Sequence, residues 1–328
     1  MIRSFLWKPG QPVKSIEGIA DFDTLFADPE VVLWIDMTNP TDRESFILTN
    51  DFHFHPLAIE DVIEEEDAIT ELGRSKIDDY RDYLYVEFQL AEYAKFEEGI
   101  KLQEIHFFLT KNTVVTVHDT DHKVFSYLYN RALKDERVMS RGADFLMYLL
   151  LDVMVDNYNS ILRFFERAVD DLEETVLAEP DADTVKTIFT LRRDIYELKR
   201  IALPQREIAR QISRGKFPMI SDRAAVYFRD VHDHLTRIIE LVDSHKDTLT
   251  TSLEVYYSHV STKTNEIIKI LTIFTVILMP ATFLVGLWGM NFKYMPELEW
   301  EFGYVLFWIV LVIITIIMIT FFKKKKWL

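Results

Sequence analysis

Two apolar segments near the end of the chain constrain its fold more than any other feature. Residues 270–288 contain no charged side chain over 19 positions, and residues 302–322 contain none over 21. About 20 apolar residues are needed to cross the hydrocarbon core of a bilayer. A buried helical hairpin of a soluble protein could contain one such run. Two runs in series, followed by four lysines, predict a membrane hairpin with spans at 270–288 and 304–322.

The distribution of lysine predicts the orientation of this hairpin. Lys263 and Lys269 precede the first span and residues 323–326 are all lysine, whereas the loop 289–303 has a small acidic excess. Cytoplasmic flanks of membrane spans carry the excess of Lys and Arg. We therefore expect both termini in the cytoplasm and the loop outside, in an integral plasma (inner) membrane protein. The basic tail 323–328 would contact anionic lipid and could form a collar at the inner mouth of a pore, through Lys323, Lys324, Lys325 and Lys326.

Composition narrows the class of function. A net charge of -16 at pH 7 argues against nucleic-acid binding and suits a protein that handles cations. The chain has no cysteine, which excludes disulfides, thiolate metal ligands and cysteine nucleophiles. It also lacks the G-x-x-x-x-G-K-[ST] pattern of a phosphate-binding loop, so no nucleotide and no enzymatic activity are expected.

The residues before the first span predict a mixed α/β region followed by long helices. Strands are expected near 31–35, 83–88, 105–109 and 113–117, and helices near 41–50 and 55–69. Glycine and proline then become rare, and one helix is expected from about 221 to 289, interrupted only by Pro280. The predicted class is an α+β membrane protein. Its parts are a cytoplasmic regulatory domain at 1–220 and the cytoplasmic part of a stalk helix at 221–269, which continues into the first span.

Several short motifs lie in and around the two spans. They are Lys-Thr-Asn-Glu at 263–266, Met-Pro at 279–280, Gly-Met-Asn-Phe at 289–292, Tyr-Met-Pro-Glu-Leu at 294–298 and Lys-Lys-Lys-Lys-Trp-Leu at 323–328. These strings resemble motifs of the CorA magnesium transporters, most strongly where Gly-Met-Asn ends the first of two C-terminal spans. Weaker similarity extends to Tyr-Phe-Arg-Asp-Val at 227–231 and to His-Pro-Leu-Ala-Ile-Glu-Asp at 55–61, so the resemblance covers most of the chain.

The resemblance implies a homopentameric funnel whose first spans line a pore. It also implies that Gly289, Met290 and Asn291 select the ion at the outer mouth. Mg²⁺ dehydrates reluctantly, so five Asn291 amide carbonyls could bind the water shell of the ion while Gly289 permits a close backbone approach. The alternative is that Asn291 only caps the helix and Gly289 ends it.

A stripe along the first span recurs in steps of three or four residues. Threonine and asparagine could bind the waters of a hydrated ion, and apolar rings could close the path by dewetting. Periodicity alone is more typical of helix packing than of a pore, but the resemblance favours a pore. The stripe consists of Asn265, Ile268, Leu271, Thr275, Met279, Thr282 and Gly286.

The resemblance further implies that intracellular Mg²⁺ binds between neighbouring protomers and holds the pore shut. The matching carboxylates are Asp61 and Asp230, with Glu60 and Asp152 nearby. Carboxylates of adjacent protomers repel each other when bare and are bridged by a divalent ion, so loss of the ion favours opening. The alternative is a solvated acidic surface. His234, two residues after His232, is interpreted as an ordinary histidine, since this spacing places the pair on different helix faces.

The predicted function is therefore a channel for potential-driven influx of Mg²⁺, and possible further ions are Co²⁺ and Ni²⁺. Mg²⁺ would be both the transported ion and the regulatory ligand, and the partners would be further copies of the chain, divalent cations and membrane lipids. A related hypothesis is transport of another divalent cation, as in the ZntB zinc transporters. A hypothesis of another class is a membrane-anchored signalling scaffold, which would not need Asn291.

Overall fold

The computed structural model describes residues 1–17, 25–26, 28–63, 75–93, 99–178, 180–296 and 300–327. The chain divides into two compact units, Met1–Ser252 and Leu253–Leu328. The predicted end of the helix 55–69 and the acidic residues of the outer loop at 297 and 299 lie outside the described residues.

In its described residues, the first unit contains a mixed sheet of seven strands. In chain order the strands are β1 (Ile2–Trp7), β2 (Lys14–Glu17), β3 (Val32–Thr38), β4 (Lys76–Asp79), β5 (Leu84–Tyr93), β6 (Ile100–Leu109) and β7 (Thr113–His118). Their order across the sheet is β2-β1-β3-β7-β6-β5-β4. Only β3 and β7 pair in parallel, and every other neighbouring pair is antiparallel. The predicted α+β class is confirmed.

Helices cover this sheet and extend the first unit. They are α1 (Asp42–Asn50), α2 (Pro56–Ile63), α3 (Lys123–Lys134), a 3₁₀ turn (Glu136–Val138), α4 (Ala143–Ala178) and α5 (Ala182–Arg214). Helices α1 and α2 pack with one face of β3, β5, β6 and β7 in an apolar core that includes Ile35, Phe54, Ala58 and Phe108. Helices α4 and α5 pack against each other and against the sheet.

Local sequence explains where the long helices begin and end. Helix α5 begins with a capping box in which the Asp181 side chain accepts from the Thr184 amide and the Thr184 hydroxyl accepts from the Asp181 amide. These bonds satisfy two donors that a helix N-terminus otherwise leaves open. The scarcity of glycine and proline then allows 36 residues in α4 and 33 in α5. Pro204 lies inside α5 without ending it.

Helix α6 (Asp222–Trp288) is a single helix of 67 residues. At a rise of about 1.5 Å per residue its length is about 100 Å. It continues through Pro280, although proline lacks an amide and leaves one carbonyl of the preceding turn without its usual donor. The predicted long helix is thus confirmed, with bounds within one residue of those expected from the sequence.

The second unit is an apolar helical hairpin made by the end of α6 and by α7 (Gly303–Lys324). Contacts at both ends show that the two segments run antiparallel. The rings of Trp288 and Phe307 lie 5.5 Å apart at one end, and Lys269 Nζ donates to the Lys326 carbonyl over 3.4 Å at the other. Each of these helices contains an apolar stretch long enough to cross a membrane, and few side chains of these two stretches are buried.

The sequence predicted the central elements more fully than the peripheral ones. The hairpin of β6 and β7 is confirmed, with Leu109 opposite Val114 and a turn at 110–112. Strands β1, β2 and β4 and helix α3 were not predicted. Strands β2 and β4 are only four residues long and lie at the two edges of the sheet. Their alternation of apolar and polar residues is therefore too short to predict a strand.

Candidate ion pathway and metal site

The predicted stripe lies on the face of α6 that α7 leaves uncovered. Ile273 is the only buried residue among 270–288, where every residue is described. At about 100° per residue, Leu271, Thr275 and Thr282 point within about 20° of the direction opposite Ile273. All seven residues of the stripe are exposed in the single chain. The structure therefore groups them on one accessible face, and their predicted contact with ions stays a prediction.

The threonines of this segment are oriented as hydrogen-bond acceptors. The hydroxyl of Thr275 donates to the Leu271 carbonyl over 2.8 Å, and that of Thr282 donates to the Leu278 carbonyl over 3.0 Å. Each hydroxyl has one proton and two lone pairs, so only acceptor capacity remains. The water shell of a cation presents its protons outward. These hydroxyls can therefore accept from a hydrated cation without contacting the metal itself.

The Gly-Met-Asn motif forms the end of α6. The Gly289 amide donates to the Val285 carbonyl over 2.9 Å, which completes the last helical turn. Gly289 does not have a positive φ, but a Cβ there would lie 3.1 Å from the Val285 carbonyl oxygen. Asn291 is exposed, and its side-chain amide makes no hydrogen bond within the described residues. No capping bond of Asn291 is therefore found there, and its carbonyl oxygen is accessible.

The predicted basic collar lies at the other end of the hairpin. Lys323 and Lys324 form the last turn of α7, and Lys325 and Lys326 follow it. All four side chains are exposed. The stacked rings of Trp327 and Phe322, 5.8 Å apart, fold the chain back at this point.

The predicted regulatory carboxylates fall into two places in the first unit. Asp61 lies on α2, where its carboxylate accepts from Lys76 Nζ over 2.7 Å. Glu60, the preceding residue, is exposed. Asp152 on α4 and Asp230 on α6 lie together in a second place, with His234. Within the described part of one chain, Asp61 and Glu60 do not join that group.

The group formed by Asp152, Asp230 and His234 has the geometry of a candidate metal site. One ligand atom from each residue lies within 4.8 Å of the other two. His234 Nδ1 is 3.8 Å from Asp152 Oδ1, and His234 Nε2 is 3.7 Å from Asp230 Oδ1. Asp152 Oδ1 and His234 Nδ1 are buried atoms without a hydrogen-bond partner among the described residues. Two carboxylates and an imidazole form a donor set that suits a divalent cation, with the imidazole adding affinity for transition metals.

The electrostatics of this group favour a bound cation. Burial raises the pKa of Asp152 to about 6, and the negative charges of Asp156 and Asp230 act in the same direction, whereas His234 opposes them. Burial and the charge of Asp152 also raise the pKa of Tyr148 above its ordinary value. An ionised Asp152 is thus under-compensated in the metal-free chain, and a divalent ion would supply the missing positive charge.

Sequence reasoning missed His234. The prediction that His232 and His234 lie on different faces of the helix is confirmed, since His232 contacts Asp233 over 3.0 Å and is not part of this group. The available signal was the spacing of Asp230 and His234, because residues four apart lie on the same helix face. The third member, Asp152, comes from another helix 78 positions earlier, and only the packing of α4 against α6 brings it there.

Comparisons with known proteins identify the family. Residues 29–324 match the family model described as CorA-like Mg²⁺ transporter protein. The chain belongs to the CorA family. One CorA relative, the cobalt/magnesium transport protein CorA of Thermotoga maritima, is 35% identical over 327 residues, which cover 96% of this chain and 90% of that protein. With its two candidate spans, this CorA-family chain is an integral membrane protein.

Solved structures agree with the CorA fold. The complete structure of the CorA magnesium transporter from Methanocaldococcus jannaschii matches with a TM-score of 0.85 and 21% identity, covering 99% of this chain and 98% of that one. The cytoplasmic domain of ZntB from Vibrio parahaemolyticus matches with a TM-score of 0.63 and 12% identity, covering 80% of this chain and 99% of that one. The ZntB likeness is therefore the more distant of the two.

Proposed function

We propose that this chain forms a homopentameric Mg²⁺ channel whose pore is lined by α6. The observation that carries the proposal is the stripe opposite Ile273. In this stripe the acceptor hydroxyls of Thr275 and Thr282 alternate with the apolar side chains of Leu271 and Met279. Two spans of one chain enclose no pore, so an oligomer is required. Five copies of an exposed face would enclose a path for a hydrated cation.

Each part of the chain has a role in this proposal. Residues 1–220 would form the cytoplasmic regulatory domain and 221–269 the stalk, with both termini in the cytoplasm. Residues 270–288 would line the pore, 289–303 would form the outer loop, 304–322 would form the outer ring of spans and 323–328 the basic tail. Gly289, Met290 and Asn291 would select the hydrated ion at the outer mouth.

The membrane potential would drive influx without a nucleotide. An elementary charge gains about 2.3 kcal/mol per 100 mV, so a divalent cation gains about 4.6 kcal/mol. Closure would follow from intracellular Mg²⁺ held between protomers by Asp61 and Asp230, with Glu60, Asp152 and His234 in support. Filling these positions removes carboxylate repulsion, and emptying them would loosen the interface.

The proposal is tested by ion flux into sealed proteoliposomes with an internal Mg²⁺ indicator. We expect influx that increases with an inside-negative potential and is lost in Asn291→Ala. The control is Tyr294→Phe, a conservative change at an exposed neighbour, which should transport like the unmodified chain. Equal influx in Asn291→Ala would contradict the assigned role of Asn291.

The same vesicles separate the other hypotheses. Influx of Co²⁺ or Zn²⁺ in the absence of Mg²⁺ influx would assign another divalent cation to this pore. No influx of any of these ions, in vesicles with intact, correctly oriented protein, would favour a signalling scaffold.

A further inference from the structure

Lys76 forms an ion pair with Asp61, the carboxylate that the proposed function assigns to regulatory Mg²⁺. Its Nζ lies 2.7 Å from Asp61 Oδ2 and 3.1 Å from Asp78 Oδ2. Asp61 comes from helix α2, while Lys76 and Asp78 lie on β4, the edge strand of the sheet. About a third of each of the three side chains is exposed, so water and ions can reach the contact.

The surroundings hold the Lys76 ammonium in this place. Its Nζ lies 5.6 Å from the centre of the Tyr85 ring. That ring is fully buried, and its hydroxyl contacts His106 Nδ1 at 2.9 Å, so it forms a fixed surface beside the lysine. A cation over an aromatic face is attracted by the ring, which favours this rotamer over one that points into water.

The charge state of Lys76 is also fixed. The ordinary pKa of a lysine side chain, about 10.4, lies well above physiological pH, and the neighbouring carboxylates of Asp61 and Asp78 favour the charged form. Lys76 therefore carries its positive charge throughout the physiological range. Asp61 in the metal-free chain is already compensated by a cation that belongs to the protein.

A divalent ion that uses Asp61 must compete with this ammonium. Mg²⁺ and its inner-shell waters need the lone pairs of the carboxylate, and the Lys76 ammonium already binds Oδ2. We infer that Lys76 is a tethered competitor of the regulatory cation, which raises the intracellular Mg²⁺ concentration needed to close the pore. This inference rests on the proposed role of Asp61 in closure.

The competing explanation is a contact that only holds β4 to α2. A partly exposed ion pair contributes about 0–1 kcal/mol to stability. If Mg²⁺ must displace Lys76 from Asp61, the same free energy corresponds to a change in Mg²⁺ affinity of up to about fivefold. The two explanations differ in what changes when the charge is removed. A structural contact alters thermal stability only, whereas a competitor alters the Mg²⁺ concentration of closure.

The test measures Mg²⁺-dependent inhibition of currents through the full-length protein in planar bilayers. In Lys76→Met the apolar stem remains over Tyr85 without the charge, and we expect half-inhibition at about threefold to fivefold lower cytoplasmic Mg²⁺. Lys76→Arg keeps the charge and should remain within about twofold of the unmodified chain. Asp78→Asn leaves Lys76 with Asp61 as its only carboxylate partner among the described residues and should shift half-inhibition upward.

A double variant links the effect to Asp61. Asp61→Asn should raise the half-inhibiting concentration, and adding Lys76→Met to it should change nothing further. If Asp61→Asn leaves inhibition unchanged, the proposed regulatory role of Asp61 is wrong, and the competition falls with it. If Asp61→Asn shifts inhibition but Lys76→Met does not, only the inference about Lys76 is wrong. A Lys76→Met effect that persists without the Asp61 carboxylate would overturn the competition as well.

Should Lys76→Met fail to assemble, as judged by its thermal unfolding and size in detergent, Asp78→Asn alone decides the question. Its upward shift supports the competition. An unchanged or lower half-inhibiting concentration in Asp78→Asn overturns it.

Discussion

At the scale of single residues, the metal-free chain carries a carboxylate that is poorly compensated. Asp152 Oδ1 lies 3.8 Å from His234 Nδ1 and has no hydrogen-bond partner among the described residues, and the nearby Asp230 adds negative charge. Natural chains seldom leave buried polar atoms unpaired unless a function needs them. The candidate metal site is thus distinguished from Asp61, whose carboxylate already has a lysine partner.

We predict that Asp152→Asn stabilises the metal-free protein and weakens its stabilisation by Mg²⁺. The pKa of Asp152 is raised from 3.8 to about 6, so its ionised form opposes folding above pH 6, and this penalty fades as the pH falls toward 3.8. Because a fifth of the side chain is exposed, we expect a gain of only about 1 kcal/mol, or a few degrees in the unfolding midpoint at about pH 8.

The measurement is thermal unfolding in detergent with a chelator and then with excess Mg²⁺. The gain of Asp152→Asn should shrink between about pH 8 and about pH 5. Asp233→Asn is the matched control, because Asp233 is exposed on the same helix as Asp230 but contacts His232 instead. A variant that loses stability in the chelator and keeps its full response to Mg²⁺ would contradict a metal site at Asp152.

At the scale of elements, the sequence determined the long helices and the membrane hairpin because their signals are local. Missing breakers and uncharged runs predicted α6 and α7 to within a few residues. The edge strand β4 was not predicted, since four residues with two aspartates resemble a loop until they pair with β5. The candidate metal group was predicted only in part, because its geometry depends on the packing of α4 against α6.

Helix α6 also provides a test of the acceptor hydroxyls. We predict that Thr282→Val reduces Mg²⁺ influx by about tenfold, the effect of losing about 1.4 kcal/mol of interaction with the hydrated ion. Thr282→Ser, which keeps the hydroxyl, should remain within about twofold. The measurement is the initial rate of influx into proteoliposomes at a fixed potential.

The control for this prediction is Thr320→Val on α7. The Thr320 hydroxyl donates to the Ile316 carbonyl over 2.7 Å, the same internal bond that Thr282 makes, but it lies on the second span. Transport should therefore be unaffected. Equal losses in Thr282→Val and Thr320→Val would show that the hydroxyls matter for helix structure rather than for the ion.

At the scale of the whole molecule, the exposed surface of the spans requires partners. Ile273 is buried by the hairpin itself, but Leu271, Met279 and Thr282 remain exposed on the opposite face. Lipid can cover the apolar side chains of this face, whereas water along a central axis would also give the lone pairs of Thr282 hydrogen-bond donors. An assembly around a water-filled axis would pack the apolar side chains together and hydrate the threonine hydroxyls. Helix α7 can then face the lipid.

We predict a pentamer with this stripe at its axis, and native mass spectrometry should give five times the chain mass of 38.8 kDa. The chain has no cysteine, so a single introduced thiol reports proximity without interference. Leu271→Cys should form disulfide-linked pairs of chains on mild oxidation, because five copies would converge near the axis. Ile317→Cys, on the exposed surface of α7, should stay monomeric on a non-reducing gel. The reverse pattern would place α7 at the axis, and the acceptor hydroxyls of α6 would then have no role in conduction.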